Sequence, residues 1–550
     1  MCEAEGDYPA EALQQAAPAS ATSVAQKCMK CKANSAVLVI RVGDAFCKSC
    51  FREYFVHKFR AMLGKTRLIF PGEQVLLALS GGPTSSAMLC QVQEVICFNI
   101  QVKLQRNYVF SPGIVHIDEG AVCGRSLEER RETLSQLECM FQASGFPYHI
   151  VYLEEVFKLP NSMLHSVSCS PASHGENYKE AVDGFLQKQR ETLVDPEQEP
   201  TVEQLNITHS EDEVQSKLAQ LGICDVFTEE NSGGTSSESS VSGNWQFTSA
   251  ETEAVKELFS SIKTLTAKEE LLQTLRHHLL LYTARIKGYT KIMMGDSCTR
   301  LAVKLLTNIS LGRGASLAID TGFSDNRYGD IMIVRPMREY SSKEIAFYNK
   351  LFNVPNVFTP ALDTKASDKA SIHRLTESFV NKLQTDFPST VSTVYRTSEK
   401  LNTACSDLNY DAEQPEKCLL CLCAMNSKIE EASAFHATLI SEKLSLKQLP
   451  DQVPKVTEQS CCGNGEDEGK CCGMHSEAAY HSTGCGNRTT NLLTLLCYSC
   501  RLTIKDMVSL DLLPQYVLSE AERRKRRAQV REQIKEFLLA PEKETDAASS

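Results

Sequence analysis

Eight of the 23 cysteines stand in four Cys-x-x-Cys pairs. Cys28 and Cys31 are followed, 15 residues after Cys31, by Cys47 and Cys50; Cys418 and Cys421 are followed, 75 residues after Cys421, by Cys497 and Cys500. Two intervening residues let a tight turn present both thiolates to one side of an ion, and two such pairs complete a tetrahedron, the arrangement zinc prefers. The first separation is that of a zinc ribbon. The second is long, but closing a loop costs only about 0.6 kcal/mol more per doubling of its length, so an insertion between the pairs is tolerable. That insertion carries Cys461-Cys462 and Cys471-Cys472, which receive no ligand assignment. A third constellation is Ser80-Gly81-Gly82-Pro83-Thr84-Ser85-Ser86, directly after the apolar run Val75-Leu76-Leu77-Ala78-Leu79. Paired glycines free backbone amides to approach an anion, and a helix beginning just beyond adds about half a positive charge.

These residues need a scaffold. Val75 to Leu79 reads as a strand buried on both faces, and the segment from Ala87 as a helix. Ile114-Val115-His116-Ile117-Asp118 and Tyr148 to Leu153 read as further strands, with an amphipathic helix over 127–143 between them. The β-α-β-α-β run predicts a parallel sheet. Helical periodicity covers 252–286, followed by a strand at Lys291 to Met294, a helix through Leu301 to Leu306, a strand at Ile331 to Val334 and a helix over 342–351. Residues 372–401 read as helical. Phe51, Tyr54, Phe55, Lys58, Phe59 and Met62 recur at helical spacing after the first cysteine pairs and predict a core-facing aromatic stripe. Arg52, Lys58, Arg60, Lys65 and Arg67 could form a basic side on that helix. Ser519-Glu520-Ala521-Glu522 has the form of a capping box opening a C-terminal helix that carries Arg523-Arg524-Lys525-Arg526-Arg527.

The 550 residues divide into a disordered leader (1–26), a ribbon with its helix (27–66), an α/β domain (67–400) and a C-terminal zinc-binding region (401–550). An acidic disordered insertion (160–250) interrupts the second of these large parts, and a Cys-rich insertion (424–490) the last. The net charge of −11 lies entirely between Pro171 and Ala250, where four Lys and Arg face fifteen Asp and Glu. The rest of the chain is neutral, which leaves room for a polyanion partner. No apolar run reaches membrane-spanning length and the first residues are acidic, unlike a secretory leader. The expectation is an intracellular, cytoplasmic protein with reduced cysteines and no membrane partner.

Ser80-Gly81-Gly82 with Ser85 and Ser86 resembles the pyrophosphate loop of the N-type ATP pyrophosphatases, whose pattern is Ser-Gly-Gly, any residue, Asp, Ser. Together with the N-terminal ribbon, Arg335-Pro336-Met337-Arg338 before a helix and the C-terminal cysteine pairs, it resembles the tRNA 2-thiolation branch of that superfamily. The likeness covers residues 28–160, 252–400 and the Cys-rich end, and is greatest to the family's non-catalytic members. It implies an adenine nucleotide α-hydrolase-like parallel-sheet core flanked by two zinc ribbons. It further implies nucleotide-loop residues Ser80, Gly81, Gly82, Ser85 and Ser86. The implied partners are tRNA, a catalytic ATP pyrophosphatase subunit that supplies the ATP site, and a ubiquitin-related modifier whose thiocarboxylate delivers sulfur. The implied product is 2-thiouridine at wobble position 34 of tRNAs for Lys, Glu and Gln.

The chemistry itself is broken. Thr84 replaces the loop Asp, and a neutral hydroxyl is a poor substitute for a hard anionic oxygen on magnesium. Pro83 has no amide proton to give a phosphate. After the strand at Lys291, the family's second acidic motif reads Gly295-Asp296-Ser297-Cys298-Thr299-Arg300, with Thr299 and Arg300 where two carboxylates belong. Catalytic members also carry a mid-domain Cys-x-x-Cys and a later cysteine; only Cys298 stands near that later place. The expected role is a tRNA-binding, non-catalytic subunit with no catalytic residue of its own. The competing readings are an active adenylating tRNA sulfurtransferase and a zinc-ribbon scaffold without an RNA role.

Overall fold

The computed structural model describes residues 26–40, 44–101, 110–165, 247–363, 365–387, 389–398, 400–401, 417–425, 492–505 and 507–534. The leader, nearly all of the acidic insertion and nearly all of the Cys-rich insertion lie outside the described residues, as do the expectations of disorder placed on them.

The chain opens with a two-stranded antiparallel ribbon, β1 (Leu38–Val39) and β2 (Ala45–Phe46), leading into helix α1 (Lys48–Thr66). The main sheet is formed by β3 (Gln74–Ala78), β4 (Ser111–Asp118), β5 (Tyr148–Tyr152), β6 (Lys291–Met294), β7 (Ser324–Asp325) and β8 (Met332–Val334), in the order β5-β4-β3-β6-β8-β7. All pairings are parallel except that of β7 with β8. The glycine-turn strand β3 is therefore the point from which successive strands are laid down in opposite directions, the switch where open α/β sheets bind ligands. Helices α2 (Pro83–Gln101), α3 (Leu127–Ser144), α4 (Ser249–Ser260), α5 (Leu265–Lys287) and α6 (Cys298–Ser310) connect the strands.

Alternation along β3 divides the interior in two. Val75 and Leu77 face Phe51, Phe55 and Phe59 of α1, all fully buried, so the ribbon's helix is part of the core on that side. Leu76 faces the other way, into a core shared with Leu275 and Leu279 of α5 and with the C-terminal region. The expected aromatic stripe is thus core. Two of the five basic residues on that helix and its exit are engaged internally: Lys58 pairs with the buried Glu344 at 2.8 Å, and Arg52 pairs with Glu94.

Several expected boundaries move. The 252–286 stretch is two helices, because Thr264 caps α5 by accepting a hydrogen bond from the Ala267 amide at 3.3 Å. Residues 372–401 are α9 (Ile372–Asp386) and α10 (Thr390–Ser398), after the five-residue α7 (Leu317–Thr321) and α8 (Ser342–Leu351). The last two helices are α11 (Tyr498–Lys505) and α12 (Gln515–Ile534). Ser519 does not cap α12. The helix begins after Pro514, whose carbonyl accepts from the Val517 amide at 2.9 Å, and burial of Tyr516, Val517 and Glu520 fixes this earlier start.

Candidate nucleotide loop and two thiolate centres

In the first ribbon the sulfurs of Cys28, Cys31, Cys47 and Cys50 lie within 4.8 Å of one another. Zinc–sulfur bonds of about 2.3 Å in a tetrahedron require sulfurs about 3.8 Å apart, and Cys31 and Cys47 sit at 3.9 Å. The first knuckle closes through the Lys32 amide, which donates to the Cys28 carbonyl at 2.8 Å, with Lys32 in the left-handed region. The second knuckle is the start of α1, with Cys47 as its N-cap residue. The four-thiol donor set fits a structural zinc ion.

Cys418, Cys421, Cys497 and Cys500 form an equivalent group, also within 4.8 Å, with Cys421 and Cys497 at 3.6 Å. The Cys497 amide donates to the Cys418 sulfur at 3.3 Å. This centre is fastened to the sheet domain through His278 of α5. Its Nε2–H donates to the Leu420 carbonyl at 2.9 Å, and its Nδ1 accepts from the Tyr516 hydroxyl at 2.7 Å. Burial pushes His278 down to about pKa 4, so the ring is neutral at physiological pH. A fifth cysteine, Cys423, receives an Arg327 Nη1 hydrogen bond at 2.7 Å, and the Lys417 ammonium donates to the Arg327 carbonyl at 2.7 Å.

The glycine turn sits at the carboxyl end of β3, with α2 starting at Pro83. Gly81 has φ +81°, which only glycine adopts freely, and a Cβ there would lie 2.5 Å from a Leu137 methyl. The groups that could hold phosphate are turned inward. The Gly82 amide points to the Ser80 hydroxyl at 3.4 Å, Ser85 donates to the Gly82 carbonyl at 3.0 Å, and Ser86 donates to the Gly81 carbonyl at 3.1 Å. From 276 residues downstream, the Val357 amide donates to the Gly81 carbonyl at 2.9 Å, so the segment after α8 lies across the turn. Nothing local in the sequence announces that cover.

Asp296, the single retained acid, follows β6. Its carboxylate lies 3.3 Å from Arg335 Nε. Burial works to raise its pKa, but Lys304, Arg335 and Arg300 outweigh it and hold the carboxyl below its ordinary range. Asp296 is an anion already answered by protein cations. Ser297 caps α6 through the Arg300 amide at 3.3 Å, and the Thr299 hydroxyl accepts from the Ser342 amide at 3.2 Å. Cys298 is 5 % exposed, packed with Leu301, Val380 and Tyr395, and has no open approach from solvent. His116 and Asp118 are structural. His116 Nδ1–H donates to the Leu79 carbonyl at 2.8 Å, and Asp118 receives Arg130 Nε at 2.7 Å and the Gly120 amide at 2.8 Å.

A relative from Danio rerio, named cytoplasmic tRNA 2-thiolation protein 2, is 51 % identical over 550 residues, covering 98 % of this chain and 99 % of that one. The chain belongs to the cytoplasmic tRNA 2-thiolation protein 2 family. The Homo sapiens member is 46 % identical over 541 residues, covering 98 % of each chain, and the profile of the family matches residues 371–502. Among solved structures, the U34-tRNA thiolase NcsA from Methanococcus maripaludis, with its [4Fe-4S] cluster, is 13 % identical with a TM-score of 0.41, covering 72 % of this chain and 92 % of that one. The α/β core of this family member rests on its own strand order, with the glycine turn at the switch and a four-cysteine group at each end.

Proposed function

We propose that the chain is the non-catalytic, tRNA-binding subunit of a cytoplasmic tRNA-thiolating complex. The complex performs 2-thiolation of wobble uridine 34 to 5-methoxycarbonylmethyl-2-thiouridine in tRNAs for Lys, Glu and Gln. In this reading cytoplasmic tRNA 2-thiolation protein 1 supplies the intact ATP pyrophosphatase site, and a thiocarboxylated ubiquitin-related modifier supplies the sulfur. Membership in the family supports the pathway. The observation that carries the non-catalytic role is the glycine turn itself, where every polar group between Ser80 and Ser86 with a resolved bond is spent inside the protein.

Catalysis would require oxygen anions to hold magnesium beside a triphosphate. At the turn the acid is Thr84, and across from it Asp296 is neutralised by Arg335. The two four-cysteine groups hold zinc in this reading and act as rigid struts, one extending α1 into the core and one fixing α11 and α12 to α5. Isothermal titration of the purified chain with ATP and magnesium tests the role: no metal-dependent binding is expected, and tight binding of one equivalent would reject it.

A further inference from the structure

Helix α9 carries more apolar surface than its neighbours cover. Ile372, Leu375, Phe379, Val380, Leu383 and Phe387 fall on one broad arc of its helical wheel. Only Val380 of these is buried, packed with Cys298, Leu301 and Ala302 of α6. Leu375 and Phe379, one turn apart, are 52 % and 53 % exposed, and Phe387 at the end of the helix is 62 % exposed. The loop before α9 extends the surface toward the glycine turn. Arg374 donates to the Leu362 carbonyl at 2.6 Å, tying that loop to the helix, and Phe358, next to the Val357 that covers Gly81, is 78 % exposed.

We infer that the face formed by Leu375, Phe379 and Phe387, with Phe358 at its margin, is the surface on which the catalytic subunit docks; the occupant rests on the function proposed above. Large side chains each present on the order of 200 Å², so four left half or more exposed show roughly 400–500 Å² of apolar area. That suffices for the apolar core of a standard interface of about 800 Å² per partner. The exposed charges on the two helices are mixed, with Glu377 and Asp386 against Lys382 and Arg396. Such a balanced rim suits a polypeptide and gives an RNA backbone no net attraction. The face also borders the covered turn, so a subunit seated there meets this chain at the edge where its own nucleotide site was lost.

The test uses the full chain co-expressed with the intact-loop subunit, comparing wild type with Leu375→Asp, Phe379→Asp and Phe379→Ser. Each target is at least half exposed, so zinc content and the thermal midpoint should stay at wild-type values, which separates docking from folding. The expected result is co-elution of the wild-type pair and at least tenfold weaker association for each Asp variant, with the Ser variant between. Wild-type association that the Asp variants leave intact would overturn the surface while sparing the proposed function. Self-association of the chain, lost in the variants without change in heterologous binding, would overturn it in favour of a second copy. Loss of tRNA binding with the complex intact would overturn it in favour of RNA. Failure of the wild-type chains to associate at all would reject the proposed function and the docking face together.

Discussion

At the scale of single residues, the account turns on what surrounds an oxygen or a charge. Restoring one acid should not restore the site: Thr84→Asp is expected to leave ATP–magnesium binding undetectable by titration calorimetry, because Arg300 and Arg335 still flank Asp296 and Val357 still covers Gly81. Gly81→Ala should cost about 1–3 kcal/mol in chemical denaturation, from a left-handed backbone and a 2.5 Å clash with Leu137. Arg130, 1 % exposed, joins Asp118 on β4 to the fully buried Glu154 at 2.7 Å on each side. Replacing Glu154 with Ala should destabilise the chain by about 3–5 kcal/mol, since it strands a buried guanidinium. Thr84 and Arg300 were legible as losses in the sequence because a motif defines where acids should be. The Asp296–Arg335 pair and the Val357 cover were not, because each joins residues that only the folded sheet brings together.

At the scale of elements, the two thiolate centres do different structural work. Cys47→Ser and Cys418→Ser should each lower bound zinc from two to one per chain by atomic absorption, with only the second loosening the attachment of α12 through Leu420, His278 and Tyr516. His278 gives this attachment a pH dependence. Its folded pKa of about 4 lies below the unfolded value of about 6.5. The unfolded chain therefore takes up the proton first, and the contribution, on the order of 3 kcal/mol, is full above pH 6.5 and is lost as pH falls toward 4. Denaturation midpoints measured from pH 7.5 to 4.5 should fall less steeply for His278→Gln than for wild type. Strand positions at β3, β4, β5 and β6 were readable because buried parallel strands are short unbroken apolar runs. The two-residue β7 left no such run, and the start of α12 was misplaced because Ser519 mimics a cap while burial of Tyr516 and Val517 sets the boundary.

At the scale of the whole molecule, the fold keeps an enzyme's framework while its polar groups are satisfied from within. A sheet with a ligand switch, a glycine turn and a four-cysteine group at each end remain; the phosphate-facing groups have become internal hydrogen-bond partners. Such a chain can organise RNA and a partner without performing adenylation. The most direct measurement is pyrophosphate release from ATP and magnesium in the presence of unmodified tRNA for Lys, with this chain alone, the intact-loop subunit alone, and both together. Release that requires the intact-loop subunit and rises when this chain is added is the predicted result. Uridine-34-dependent release by this chain on its own would contradict the account.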